Sequence, residues 1–396
     1  MPAIIDIEKL GLDAGAHLLI KHGLNNVAVG GEILVIGSAP GWEAQLSAWC
    51  RTQGHPLTFL DGRAHIIRSD IHGGRWRGAT PSGHADPQQN GAVHDHPLAC
   101  YGLAARGATV EAGAPNFAFR LDQKHQVWAD NAAELYAQAV AAQWDPDQAI
   151  DWNTPFELAD EVEDAVAQVM TYMIENENAA LVVPARFLGQ MHPHFREVQA
   201  VLAIQVADEA RHIDVFTRRL RLHGREPALS TAGGQASLKT LLDEPDFSVA
   251  GFLLSVLGEG TFVSLLNFLH QHAPDPVTRQ IARLAAIDEG RHVAFGMAHL
   301  LRRLGLEPEF RSRLAHAVEA RNDALSGTTG LNEEVFDALI LLAAGEFTPA
   351  AIATGYARVQ ALMIDMAEGR LARLLRLGFE GKTARHLAAL HTRNFM

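Results

Sequence analysis

At 396 residues and a formal charge of −13, the chain is long enough for more than one domain and too acidic for a nucleic-acid surface, which needs a basic patch. Its two cysteines, Cys50 and Cys100, exclude a disulfide framework and point to a reducing compartment. Met1-Pro2-Ala3-Ile4-Ile5-Asp6 has neither the basic start nor the apolar run of a secretory signal, so a cytoplasmic protein is expected.

Residues 1–69 alternate β-like and helical runs. Ala3 to Ile7 is followed by a helix near Ala14 to His22 and a strand at Glu32 to Gly37. A second helix runs from Pro40, puts Trp42, Leu46, Trp49 and Cys50 on one face, and ends near Gly54. Strands at Pro56 to Leu60 and Ala64 to Arg68 complete a small α+β domain of βαβαββ order. Gly31-Glu32-Ile33-Leu34-Val35-Ile36 and Trp49-Cys50-Arg51-Thr52-Gln53-Gly54-His55-Pro56-Leu57 resemble the sulfur-carrier domains of the TusA/SirA type. Those carriers hold sulfur on the cysteine of a Cys-Pro pair that follows Gly-Leu and opens the first helix, where the helix dipole favours a thiolate. Here Gly11-Leu12 is followed by Asp13-Ala14, so persulfide transfer by that route cannot operate. The domain reads as a retired carrier, kept for docking a partner or covering an active-site mouth, with Cys50 packed in its second helix.

Residues 70–127 are rich in Gly, His, Pro and Asp without a period, which reads as an irregular linker or lid. His94-Asp95-His96 there, and His192-Pro193-His194 further on, contain metal-ligand residue types, but no further ligands accompany them and local turn roles are expected. Thr80-Pro81, Ser326 to Gly330 and Gly345 read as loop or helix-end punctuation.

From residue 128 to 396 the pattern is helical. Asp208-Glu209-Ala210-Arg211-His212 returns as Asp288-Glu289-Gly290-Arg291-His292, each copy between apolar neighbours. Residues three apart share a helix face, so Glu209 and His212 can point at one ion, and Glu289 and His292 at another. Each copy is half a site. Glu259 interrupts the otherwise apolar stretch Phe252 to Leu266, where an isolated charge would cost at least several kcal/mol and a bound cation answers that cost. In the first half its counterpart is Glu177, which aligns better with Glu259 onward, or Glu175. Asp208 and Asp288 are candidates to hold the second ring nitrogen of a ligand histidine, and Arg211 and Arg291 to pair with nearby carboxylates, against the blander alternative of helix-surface ion pairs.

These residues, over roughly Trp128 to Leu304, resemble the soluble di-iron carboxylate proteins of the ferritin-like group, in particular its oxygenase-type members. The resemblance implies a mainly α fold, a four-helix bundle with extra C-terminal helices. It implies two iron ions, or an iron/manganese pair, held by Glu177, Glu209, His212, Glu259, Glu289 and His292, with Glu209 and Glu289 as bridges and dioxygen as co-substrate. It also implies oxidation of a small organic substrate and an electron donor such as a ferredoxin or flavin reductase. The position four residues after the first histidine, where the ribonucleotide reductase subunit places its radical tyrosine, is Phe216. Tyr172 reads as packing.

A helix from about Pro349 carries Ile352, Tyr356, Val359, Leu362, Met363, Met366, Leu371, Leu374 and Leu375 at three- and four-residue steps, a core stripe or a homodimer interface. The apolar segment around Glu259 is expected to be a buried helix and not a membrane span. The same residues also fit two other classes, a ferroxidase or metal-handling protein and a helical scaffold without catalysis.

Overall fold

The computed structural model describes residues 2–71, 77–326 and 333–390. Its chain forms two units, Met1–Ala92 with Leu98–Phe117, and Val93–Pro97 with Ala118–Met396.

In the first unit the strands β1 (Ala3–Asp6), β2 (Glu32–Ile36), β3 (Leu57–Leu60) and β4 (Arg63–Ile67) form a sheet of order β1-β2-β4-β3. β1 and β2 are parallel, which requires a crossover, and α1 (His17–Asn25) supplies it. β3 and β4 are antiparallel around Asp61-Gly62, both at positive φ, the turn geometry that an Asp-Gly pair favours. α1 and α2 (Trp42–Gln53) cover one face, where Ile20, Leu24, Leu46 and Cys50 meet Ile33, Val35 and Ile66. The βαβαββ order is as expected, but the first helix starts at His17. Gly15, at φ 107°, ends a separate 3-10 turn over Leu12–Ala14 and splits it from the helix. Cys50 is packed in α2, and burial pushes its thiol up to about 11. Thr80–Pro81, expected as punctuation, is a two-residue strand (β5) paired with Thr109–Val110 (β6).

The second unit is helical. Short helices α3 (Lys124–Val127), α4 (Ala132–Ala141) and α5 (Pro146–Ala149) precede the long pair α6 (Asp160–Leu188) and α7 (Arg196–Leu222). After α8 (Ala232–Asp243), a nearly continuous run comprises α9 (Phe247–Gly251), a π-helical segment (Phe252–Glu259) and α10 (Gly260–His272), and the chain returns along α11 (Pro276–Leu306). Asp275 caps α11 through the Thr278 amide at 2.7 Å, and Pro276 takes the first helical position, so the turn expected at His272–Pro276 is where the chain reverses. α12 (Phe310–Ser326), α13 (Glu333–Ala344), α14 (Pro349–Arg376) and α15 (Gly381–Ala389) complete the unit. Gly345 does end α13 in the left-handed region, whereas residues 327–330 of the expected Ser326–Gly330 break lie outside the described residues. In α14, Val359, Leu362, Met366 and Leu374 are buried within the chain, so this part of the stripe is core.

The ferritin-like arrangement expected from the motifs is the observed one: α6 packs on α7, the Phe252–His272 run packs on α11, and α7 meets α11 across the middle. Phe247–His272 is long and apolar enough to cross a membrane, with an 18-residue window of mean hydropathy 1.8, but 83% of that window is buried inside the bundle. One end of the bundle is tied by Arg219, fully buried, whose guanidinium donates to both oxygens of Glu163 at 2.5 and 3.0 Å and to Asp275 at 3.0 Å.

Candidate metal centre

Six side chains from four helices converge in the middle of the bundle, all buried: Glu177 from α6, Glu209 and His212 from α7, Glu259 from the end of the π segment, and Glu289 and His292 from α11. They form two groups, Glu177/Glu209/His212/Glu289 and Glu209/Glu259/Glu289/His292, each with its ligand atoms within 4.8 Å of one another. Glu175, two residues before Glu177, is half-buried and belongs to neither group. The π-helical turns lead directly into Glu259, and such insertions recur at functional sites because they re-aim one side chain without ending the helix.

The two shared carboxylates have a specific orientation. Glu209 places Oε2 3.2 Å from Nδ1 of His212 and Oε1 3.1 Å from Nδ1 of His292. Glu289 does the same, with Oε1 3.5 Å from His212 and Oε2 3.4 Å from His292. Each carboxylate thus divides its two oxygens between the two imidazoles, which is how a bridging ligand faces two ions. Glu177 lies on the His212 side, its Oε2 3.6 Å from Nδ1.

None of these close approaches has hydrogen-bond geometry. Glu177 Oε1, both oxygens of Glu209, Oε2 of Glu259 and of Glu289, and Nδ1 of both histidines are buried without a hydrogen-bond partner. Orphaned polar atoms at this density are costly and rare in a folded interior, and here all of them point at a common centre. A pair of divalent cations fits: four carboxylates balance two 2+ charges, and the oxygen and imidazole donors suit iron or manganese, with no thiolate in the set.

The electrostatics of the bare cluster agree. Burial, reinforced by Glu209, raises the Glu177 carboxyl well above its usual range, and burial with Glu289 does the same for Glu259. At Glu209 burial acts in the same sense, but His292 and His212 outweigh it and hold the carboxyl low. Burial would lower both imidazoles, yet the surrounding carboxylates, Glu177 foremost for His212 and Glu209 for His292, hold both well above their usual range. Protons fill the role of cations in such a cluster, and metal binding would release them.

An outer layer fixes the imidazoles. Nε2 of His212 lies 3.2 Å from Asp288, and Nε2 of His292 lies 3.3 Å from Asp208, so each aspartate serves the histidine of the other motif copy. This pairing assigns the protonated nitrogen and turns Nδ1 toward the centre. Asp208 also accepts from Gln143 at 2.8 Å and Arg211 at 2.6 Å, and Asp288 from Arg211 at 2.9 Å, from the Trp144 indole at 2.8 Å and from Arg291. The Arg211 guanidinium lies 4.5 Å over the Trp144 ring, and that ring stacks at 6.4 Å on His212. These roles for Gln143 and Trp144 were not read from the sequence, nor was that of Gln205, whose amide donates to Glu259 Oε1 at 2.9 Å. For Gln205 a signal existed, since it precedes Glu209 by one helical turn on the same face. A cavity of about 30 Å³, lined by Val183, Phe187, Leu202, Leu254 and Phe295, reaches Gln205.

Elsewhere the sequence candidates are unremarkable. His94 and His96 join no group of metal-ligating atoms among the described residues; the His94 amide donates to Nε2 of His194, and His192 accepts from the His194 amide in a buried turn. Tyr172 packs on Phe262 at 5.8 Å, and Phe216 is buried.

No family model and no curated protein sequence matches the chain. Among solved structures, it is similar to Protein 19 with aldehyde deformylating oxidase activity from Synechococcus, at 18% identity and a TM-score of 0.43 over 58% of this chain and 96% of that one. It is also similar to R2-like ligand-binding oxidase variants with a reconstituted Mn/Fe cofactor, one at 18% identity and a TM-score of 0.46 over 65% of this chain and 94% of that one. Another such variant has 17% identity and a TM-score of 0.42 over 68% of this chain and 92% of that one.

Proposed function

We propose that the chain is a cytoplasmic di-iron or manganese/iron oxygenase that oxidises a small organic substrate with dioxygen. The observation that carries this reading is the division of the oxygens of Glu209 and Glu289 between two imidazoles, since a single ion or a plain salt-bridge cluster has no need of it. Glu177, Glu209, Glu289 and His212 would hold one ion, and Glu209, Glu259, Glu289 and His292 the other. When bound in reduced form, two such ions would supply two electrons to dioxygen, the chemistry that oxidation of an unactivated C–H or N–H bond calls for.

The protein residues have separate tasks. Asp208 and Asp288 keep Nε2 of each imidazole protonated and the ring orientation fixed. Gln205 holds one oxygen of Glu259 in place and borders the apolar cavity, where we place the end of the substrate to be oxidised. The low polarity of that cavity keeps bulk water from the reaction. Turnover needs electrons from outside, from a ferredoxin or flavin reductase. We place their entry at Trp144, a half-buried indole joined through Asp288 to His212 by two hydrogen bonds. The N-terminal domain, TusA-like but without the carrier cysteine, is read as a docking module for such a partner. Deletion of residues 1–70 that leaves turnover and oligomeric state unchanged would remove that role.

The test is anaerobic Fe(II) titration followed by exposure to oxygen. An oxygenase takes up about two irons per chain and then stops consuming oxygen unless substrate and reductant are present. Oxygen uptake that continues in proportion to further Fe(II) would instead identify a ferroxidase.

A further inference from the structure

Arg321 on α12 and Arg370 and Arg373 on α14 converge behind the helix that carries Glu259, and none of the three forms an ion pair among the described residues. Arg370 is only 5% exposed; its Nε has no partner, and its Nη1 reaches only the Ala388 carbonyl at 3.5 Å. On Arg373 both Nε and Nη2 are occluded without partners. Its guanidinium lies against Gly260, the residue after Glu259, where a Cβ would stand 2.5 Å from Nε. Arg321 donates to two neutral hydroxyls, Thr240 and Ser237, each at 2.8 Å.

The charge balance is one-sided. Burial pushes all three guanidiniums down to about 10, and among the described residues the charges acting on Arg370 are Arg373 and Arg321, which lower it further. Among the described residues the carboxylate acting on Arg373 is Asp365, an exposed residue beyond ion-pair distance, and no carboxylate acts on Arg321, which faces the Tyr172 phenol that burial keeps neutral. Burying a charged group without a counter-charge is strongly unfavourable, so a cluster of three needs a reason to persist. Planar guanidiniums in convergence are the usual means of binding carboxylate or phosphate.

We propose that Arg321, Arg370 and Arg373 bind the oxyanion of a small molecule, a carboxylate or a phosphate, at a site separate from the metal centre. The way in is an open cleft of about 430 Å³ lined by Arg321, Leu253, Val249, Ala317 and Ala320. A smaller cavity that shares Arg321 and Leu253 with it extends to Arg370. A ligand therefore lays its body against Leu253 and the alanines and presents its anionic end to the arginines.

Thermal denaturation of the full chain tests this, with inorganic phosphate and sodium octanoate each compared against chloride at equal ionic strength. One of the two anions raises the midpoint in a saturable way. Arg370→Gln and Arg373→Gln each weaken its apparent affinity by about tenfold or more, the loss expected for a charge-assisted hydrogen bond. Arg283→Gln, exposed on α11, leaves it unchanged. If Arg370→Gln does not fold, Arg321→Gln on the cleft wall takes its place. A response to octanoate alone identifies a carboxylate with an apolar body, and a response to phosphate alone a phosphate. The proposal is overturned if neither anion exceeds chloride, or if the arginine variants respond as the wild type does. Metal content, measured on the same samples, stays at the wild-type value in either case and keeps this result independent of the reading of the metal centre.

Discussion

Glu259→Gln separates a ligand carboxylate from a merely structural one. The amide is isosteric with the protonated acid that burial favours in the bare protein, and its oxygen can still accept from Gln205. What it loses is an anionic donor at the position of Oε2, which has no hydrogen-bond partner. In the presence of EDTA the variant and the wild type should therefore melt within about 2 °C of each other, the equivalent of roughly 1 kcal/mol in a unit of this size. With metal the two should diverge. At free metal a thousandfold above Kd the wild type gains about 4 kcal/mol, or roughly 8 °C. Outer partners of a metal ligand cost about 10–100-fold in affinity, and a ligand itself should cost at least the upper end. At the same metal concentration the variant then gains only about 1.4 kcal/mol, or roughly 3 °C. The assay is anaerobic scanning calorimetry with and without Fe(II) or Mn(II). A variant whose midpoint falls equally with and without metal, or that gains as much from metal as the wild type does, would refute the assignment of Glu259.

Asp288→Asn keeps the volume at the outer layer but removes the charge that holds the His212 imidazole, and metal affinity measured by chelator competition should drop by about 10–100-fold. Glu163→Ala leaves the fully buried Arg219 short of one carboxylate and should cost about 3–5 kcal/mol in chemical denaturation, with metal stoichiometry unchanged in the folded fraction. His299 is buried against Ser248 and Arg303, and burial lowers its pKa from 6.5 to about 4. The unfolded chain therefore takes up a proton below pH 6.5 that the folded chain refuses until about pH 4. Stability should fall across that window by about 3 kcal/mol, and His299→Gln should remove this component of the slope.

The two Glu-x-x-His copies were legible because helix periodicity alone places Glu and His on one face, and Glu259 because a carboxylate in a run apolar on all sides demands a partner. The choice between Glu177 and Glu175 was not settled by alignment alone. Two residues turn a helix by about 200°, so only one of them can face the centre, and the rotation of α6 is set by packing against α7 and α13. The π-helical stretch before Glu259 left no trace in the sequence, since a segment apolar on every face has no stripe from which to read an extra residue per turn. The exchange of Asp208 and Asp288 between motif copies is a contact across helices, invisible to spacing along either one. In the N-terminal domain the order of elements followed from the alternation of β-like and helical runs, but the late start of α1 depends on the backbone of a single residue, Gly15.

Six buried side chains converge on a centre that would hold two metal ions, with Glu209 and Glu289 shared between them. Metal content per chain by elemental mass spectrometry, on protein produced in iron- and manganese-supplemented cells, tests it most directly. About two ions per chain are expected, two irons or one iron and one manganese, both lost on Glu209→Ala. A folded protein with no stoichiometric metal, even after anaerobic loading with Fe(II), would contradict it and reduce the six converging side chains to a buried salt-bridge cluster.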